Sequence, residues 1–125
     1  MYIKDYDGDE IEVTLGIETY VNNNQIAVLL YTPDWEYYSD LSVFVKPLEY
    51  QNYMAVDINN LPNAEEFIKK YELGEFVWRI DSWFVSYPVY AMNIKKLKEW
   101  SWNLDIEIED NSDDTSFNIW DKLKQ

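Results

Sequence analysis

The chain has 125 residues, ten lysines and arginines against 24 aspartates and glutamates, and a formal net charge of −14. Cysteine and histidine are both absent, which excludes disulfides, zinc–thiolate sites, thiol nucleophiles and the usual general base. Apolar residues make up 47% of the chain, so it has the material for one folded domain, and direct binding to nucleic acid is what its charge argues against.

In chain order, Asp7-Gly8 is a two-residue hairpin signal between strands at Tyr2–Tyr6 and Asp9–Val21. In the second arm Ile11, Val13, Leu15 and Ile17 alternate with Glu10, Glu12, Thr14 and Gly16, and Glu18 continues the polar side. That pattern predicts a half-buried strand with an acidic outer face. Asn22-Asn23-Asn24 makes the next turn, and the apolar run Ile26–Tyr31 reads as a central strand covered on both faces. Thr32–Glu36 turns again, and Tyr37–Lys46 returns with Leu41, Val43 and Val45 on one side. The first half is therefore expected to be an antiparallel meander, followed by a loop over Pro47–Asn52.

A strand from Met54 leads into the best-marked helix. Asn60 is placed as its cap, Pro62 suits a first turn, and Leu61, Ala64, Phe67, Ile68 and Tyr71 share one side. Glu65 with Lys69 and Glu66 with Lys70 form i,i+4 pairs on the other side, and Gly74 is placed as the left-handed stop. Two aromatic strands follow, Glu75–Ile80 and Phe84–Tyr90. Ile94, Leu97 and Trp100 are spaced for a short helix, with Lys95, Lys96 and Lys98 around it as a solvated face answering the acidic tail. Residues 104–125 read as an appended strand and helix: Leu104, Ile106 and Ile108 alternate with Asp105, Glu107 and Glu109, and Phe117, Trp120 and Leu123 supply an apolar helix face. The fold class expected is α+β, a single domain over residues 1–125 with an antiparallel sheet and one principal helix packed on a face.

The middle of the chain resembles a known family. Val56-Asp57-Ile58-Asn59-Asn60-Leu61-Pro62-Asn63-Ala64-Glu65-Glu66-Phe67-Ile68, then Leu73-Gly74, Arg79 and Tyr87-Pro88-Val89-Tyr90, are similar to the bacterial family catalogued as domain of unknown function 4313. Leu30-Tyr31, Asp34 and Ser39-Asp40-Leu41-Ser42-Val43 are similar to that family's preceding hairpin, so the resemblance covers roughly residues 25–95. It implies a small domain often encoded by mobile elements of gut-type Gram-positive bacteria, with no established activity to carry over.

Charge distribution carries the functional expectation. Residues 1–45 hold nine acids against Lys4 alone, residues 46–104 are nearly neutral, and residues 105–114 hold six acids and no base. Asp5, Asp7 and Asp9 flank Gly8 like a calcium loop, but the EF-hand positions for glycine and glutamate hold Glu10 and Gly16, and a hairpin is the better reading. No metal, cofactor or enzymatic activity is expected. Arg79, the lone arginine, is expected either to hook an anion or to pair internally with Asp57 or Asp81. Trp35, Tyr37 and Tyr38 at a hairpin tip read either as interface anchors or as packing over a sheet edge.

Strand carboxylates two residues apart lie ~6.8 Å apart, against ~3.4 Å of helix axis per phosphate in one DNA strand. Two adjoining acidic rows would thus be needed to imitate nucleic acid. The expected contact residues are Glu10, Glu12, Glu18, Trp35, Glu36, Asp105, Glu107, Glu109, Asp110, Asp113 and Asp114. The expected partner is a basic nucleic-acid-binding protein such as a nuclease effector. The expected function is a cytoplasmic, non-catalytic inhibitor of anti-CRISPR or anti-restriction type; an accessory acidic domain is the competing expectation. No membrane span is expected, because no apolar run approaches ~20 residues.

Overall fold

The chain folds into three antiparallel sheets and two short helices, in a computed structural model that describes residues 1–20 and 25–101. Strands β1 (Tyr2–Lys4) and β2 (Glu10–Glu12) form a hairpin. Strands β3 (Thr14–Thr19), β4 (Ile26–Tyr31) and β5 (Tyr37–Asp40) form a meander in that order. Strands β6 (Ser42–Val43), β7 (Tyr53–Val56), β8 (Gly74–Ser82) and β9 (Val85–Met92) form a sheet ordered β6-β7-β9-β8. The helices are α1 (Ala64–Lys70) and α2 (Ile94–Trp100), seven residues each. This corrects the expected α+β class: the described residues are mostly β, and among them no principal helix organises the fold.

Two expected strands break where the chain changes sheets. The run through Asp9–Val21 divides at Val13, whose N–H donates to Met1 O at 2.8 Å, so β2 pairs with β1 while β3 pairs with β4. The run through Tyr37–Lys46 divides at Leu41. Its N–H donates to Val28 O at 2.8 Å and its carbonyl accepts from Asp57 N at 3.0 Å, so one buried residue joins two sheets. Beside it the Ser42 hydroxyl accepts from Val28 N at 3.0 Å. The expected apolar alternation survives the first break, where Val13, Leu15 and Ile17 are buried, but not the second, where Leu41 enters the main core while Val43 and Val45, expected on its side, pack half-buried against a second cluster. Strand β4 is the central strand of its meander.

The main core joins Leu15, Ile17, Ile26, Val28 and Leu30 of the meander to Met54, Val56, Tyr90 and Met92 of the larger sheet, and to Ala64, Phe67, Ile68, Ile94 and Leu97 of the helices. Alternate residues of β7 and β9 (Tyr53, Ala55 and Val89) face the other way, into a smaller cluster with Ile80 that Val43, Val45 and Leu48 cover. Buried Gln25 holds that covering loop, accepting from Leu48 N at 2.9 Å and donating to the carbonyl of Tyr50.

Helix α1 buries the expected face: Leu61, Ala64, Phe67 and Ile68 are all 5% exposed or less. Its ends differ from the expectation. It begins at Ala64, past Pro62, and Asn60 instead donates through N and Nδ2 to the Asp57 carboxylate, at 3.2 and 2.9 Å. At the other end Glu72, with φ of 56°, takes the left-handed position. Its N–H donates to Lys69 O and Leu73 N–H to Ile68 O, the two bonds of a Schellman cap. Helix α2 has the side-chain cap α1 lacks, Asn93 Oδ1 accepting from Lys96 N at 3.1 Å.

Glu65, expected to pair with Lys69, instead accepts from the Tyr90 hydroxyl at 2.6 Å, tying α1 to β9. Burial first, then this bond and the Glu65 charge, raise the Tyr90 phenol far above its ordinary 10.0. Tyr37 is pushed up to about 12 by desolvation and by its bond to Asp40. A phenol raised in the folded state contributes stability that is fully present below the unfolded value near 10 and is lost as pH rises past it. Tyr90→Phe is expected to cost about 1.5–3 kcal/mol at neutral pH and to flatten the fall of melting temperature above pH ~10. An alkaline melting series of both proteins checks this.

Candidate functional site

The β1–β2 hairpin turns through Asp5–Asp9 rather than through a two-residue turn at Asp7-Gly8. Asp5 N donates to Asp9 O at 3.0 Å, Gly8 N donates to Asp5 O at 3.1 Å, and Gly8 takes φ of 87°. Asp5 Oδ1 accepts from the backbone N–H of both Asp7 and Asp9 at 2.9 Å. These bonds draw the carboxylates of Asp5, Asp7 and Asp9 within 4.8 Å of one another. Three such groups, one oxygen each, supply a minority of the six to eight oxygens a calcium ion takes, and the turn is already closed by its own hydrogen bonds. Calcium or a chelator is therefore expected to leave the melting temperature within a degree or so; a saturable calcium-induced rise would overturn this.

The acid of the opening 45 residues stays at the surface: Asp7, Asp9, Glu10, Glu12, Glu18, Asp34, Glu36 and Asp40 are exposed and Asp5 is half-buried. Glu10 and Glu12 share the outer face of β2, while Glu18 lies on β3 in another sheet, so they form no continuous row. Glu10 stands 4.0 Å from Lys70; among the described residues it is the one acid of this set with a lysine at ion-pair distance. Trp35 and Glu36 sit exposed at the β4–β5 turn, Trp35 with φ of 66°, and Tyr37 is exposed beside them. Tyr38 is the exception in this group, packed against the main core. Asp105, Glu107, Glu109, Asp110, Asp113 and Asp114 lie outside the described residues, as do the Asn22–Asn24 turn and the strand and helix expected over residues 104–125.

Arg79 does not make the internal pair with Asp57 or Asp81 that was one expectation for it. It is exposed, and its Nε and Nη2 donate to the Oγ and carbonyl O of Ser86 at 3.1 and 2.9 Å, bracing β8 against β9. An open groove of about 670 Å³ runs between α1 and the β1–β2 hairpin. Phe67 and Ile3 line its apolar part, and Lys4, Lys69 and Lys70 face Glu10 and Glu66 across it. Glu10 stands 4.0 Å from Lys70 there, and three lysines against two glutamates leave the groove close to neutral.

Sequence reasoning missed the aromatic pair that is most exposed among the described residues, Trp83 and Phe84, at 93% and 97% exposure on the turn between β8 and β9. The expected connection falls at residues 81–83, with the next strand starting at Phe84; with no glycine, asparagine or proline at Trp83-Phe84, nothing marks those two residues as the turn itself. Among the described residues no helix is long and apolar enough to cross a membrane. Comparison with curated proteins and with solved structures found no match. The family model described as Domain of unknown function (DUF4313) matches residues 14–109, from β3 through both helices and beyond, and the chain belongs to that family.

Proposed function

We propose that the protein is a non-catalytic acidic interaction module that occupies the basic nucleic-acid site of a larger protein, acting in the bacterial cytoplasm as an anti-defence inhibitor of anti-CRISPR or anti-restriction type. The observation that carries the reading is the surface position of all nine acids of the first 45 residues, with three carboxylates within 4.8 Å at one hairpin tip. That spacing approaches the density of phosphates along a nucleic-acid strand, which a single strand row at ~6.8 Å does not. Like charges held this close repel one another and weaken the folded state, so a cationic partner that neutralises them gains what the free protein lacks. The absence of histidine and cysteine supports a role without catalysis.

The test is displacement. Purified CRISPR nucleases and restriction enzymes, each loaded with fluorescently labelled duplex, are titrated with this protein. One of them is expected to release its duplex, with an affinity that falls steeply as salt rises. Asp7→Lys with Glu12→Lys is expected to weaken that release tenfold or more while leaving the melting temperature near wild type. An effector that binds this protein and its duplex together, indifferent to charge reversal, would leave the acid as a solubility device in an accessory domain.

A further inference from the structure

We propose that the Trp83–Phe84 tip of the β8–β9 hairpin is an apolar anchor that docks into a hydrophobic cleft rimmed by lysine or arginine on another protein. Register shows how the tip is presented. Strand β7 pairs with β9 as far as Ala55↔Val89, but β8 and β9 continue as a two-stranded ribbon through Arg79↔Pro88, Ile80↔Tyr87, Asp81↔Ser86 and Ser82↔Val85. Those four pairs extend about 13 Å past the last β7 pair. Pro88 fits there because it lies past the last β7–β9 pair, so no N–H is required of it on that side.

A free two-stranded ribbon is marginal by itself, and this one is stiffened twice. Ile80 is buried in the smaller core, and Arg79 is clamped to Ser86 across the strands. The ribbon thus holds its tip in a fixed position.

The tip is built against the needs of the turn. A two-residue loop with positive φ at its first central residue follows the pattern that calls for glycine there, yet the position holds Trp83 at φ of 54°. Phe84 follows with its ring centroid 6.4 Å from the indole, so two large apolar faces lie side by side in water. Glycine and a small polar residue would relax the backbone and remove the exposed area. Strain combined with nearly complete exposure points to contact with something outside the domain.

Charge selects the occupant. The chain carries −14, and the charged neighbour on the ribbon left exposed and unclamped is Asp81. A second copy would bring the same charge, and an anionic lipid surface would repel it, with no free cation at the tip among the described residues to offset that. A protein cleft with a cationic rim matches both the apolar pair and the surrounding acid. No acidic row takes part, so this contact stands apart from the mimicry proposed above.

The test uses the full chain with Phe84→p-benzoylphenylalanine, photo-crosslinked in a bacterial lysate, followed by mapping of the crosslinked peptide and titration of the purified partner. The expected peptide lies in an apolar cleft edged by lysine or arginine. Trp83→Gly with Phe84→Ser is expected to weaken binding of that partner at least tenfold and to raise the melting temperature by a few degrees. Asp7→Lys with Glu12→Lys, measured on the same partner, separates loss of this contact from loss of the acidic one. The proposal is overturned if crosslinks form only to another copy of this chain or to nothing. It is equally overturned if wild type floats with phosphatidylcholine vesicles through this tip, or if the glycine–serine variant binds as tightly as wild type or melts lower.

Discussion

Phe67→Ala is expected to lower the stability of the domain by about 3–5 kcal/mol and its melting temperature by roughly 10–20 °C. Phe67 is 2% exposed, stacks edge-on against Tyr71 at 5.3 Å, and belongs to the main core with Ala64 and Ile68. Helix α1 is only seven residues long, too short to persist without tertiary packing, and it lies against β1 and β8. Removing its largest buried side chain takes away both transfer free energy and the contacts that keep the helix in place. Since small domains are stable by only about 5–15 kcal/mol, the variant should approach the limit of folding at 37 °C. Phe67→Leu, which keeps most of the volume, should lose far less. A Phe67→Ala protein melting within a few degrees of wild type would mean that α1 packs by some other face.

What the sequence made legible was which side chains face inward. The alternation Ile11, Val13, Leu15, Ile17 and the helical set Leu61, Ala64, Phe67, Ile68 both mark groups that are buried or half-buried. Periodicity reports a residue's face and says nothing of the strand it pairs with. The breaks at Val13 and Leu41 were therefore invisible: each is made by hydrogen bonds to residues remote in sequence, while the two-residue period runs on across it. That is also why a single sheet with a principal helix was expected where three sheets form.

The candidate contacts divide in the same way. Glu10, Glu12, Glu18, Trp35 and Glu36 are as exposed as their patterning implied, because alternation and turn position are local signals. That Glu10 has Lys70 4.0 Å away depends on α1 crossing the hairpin, which no local pattern encodes. Trp83 was missed for the opposite reason: its local sequence contradicts its turn. Such contradictions concentrate at sites kept for something other than stability.

Gly74 shows how one residue can be right for a reason other than the local one, and it supplies the second large effect. Its position after the helical run predicts the left-handed stop of α1, but the left-handed residue is Glu72, and Gly74 opens β8 opposite Met92. A Cβ at Gly74 would stand 2.8 Å from Ala91 O, 2.8 Å from Met92 Sδ and 3.1 Å from Met92 Cα. The sulfur can swing away, whereas the carbonyl and Cα belong to the backbone of a central strand. Gly74→Ala is therefore expected to cost about 1–3 kcal/mol through a forced shift of β8 against β9. Glu72→Gly should do the reverse and stabilise by up to ~1 kcal/mol, because a left-handed glutamate is strained and glycine there is not. Its lost contact with Lys96, 3.9 Å away with the Glu72 side chain 79% exposed, subtracts little. Urea melts of the two variants separate the readings by sign. If Gly74 were the helix stop and Glu72 an ordinary surface residue, Glu72→Gly would destabilise instead.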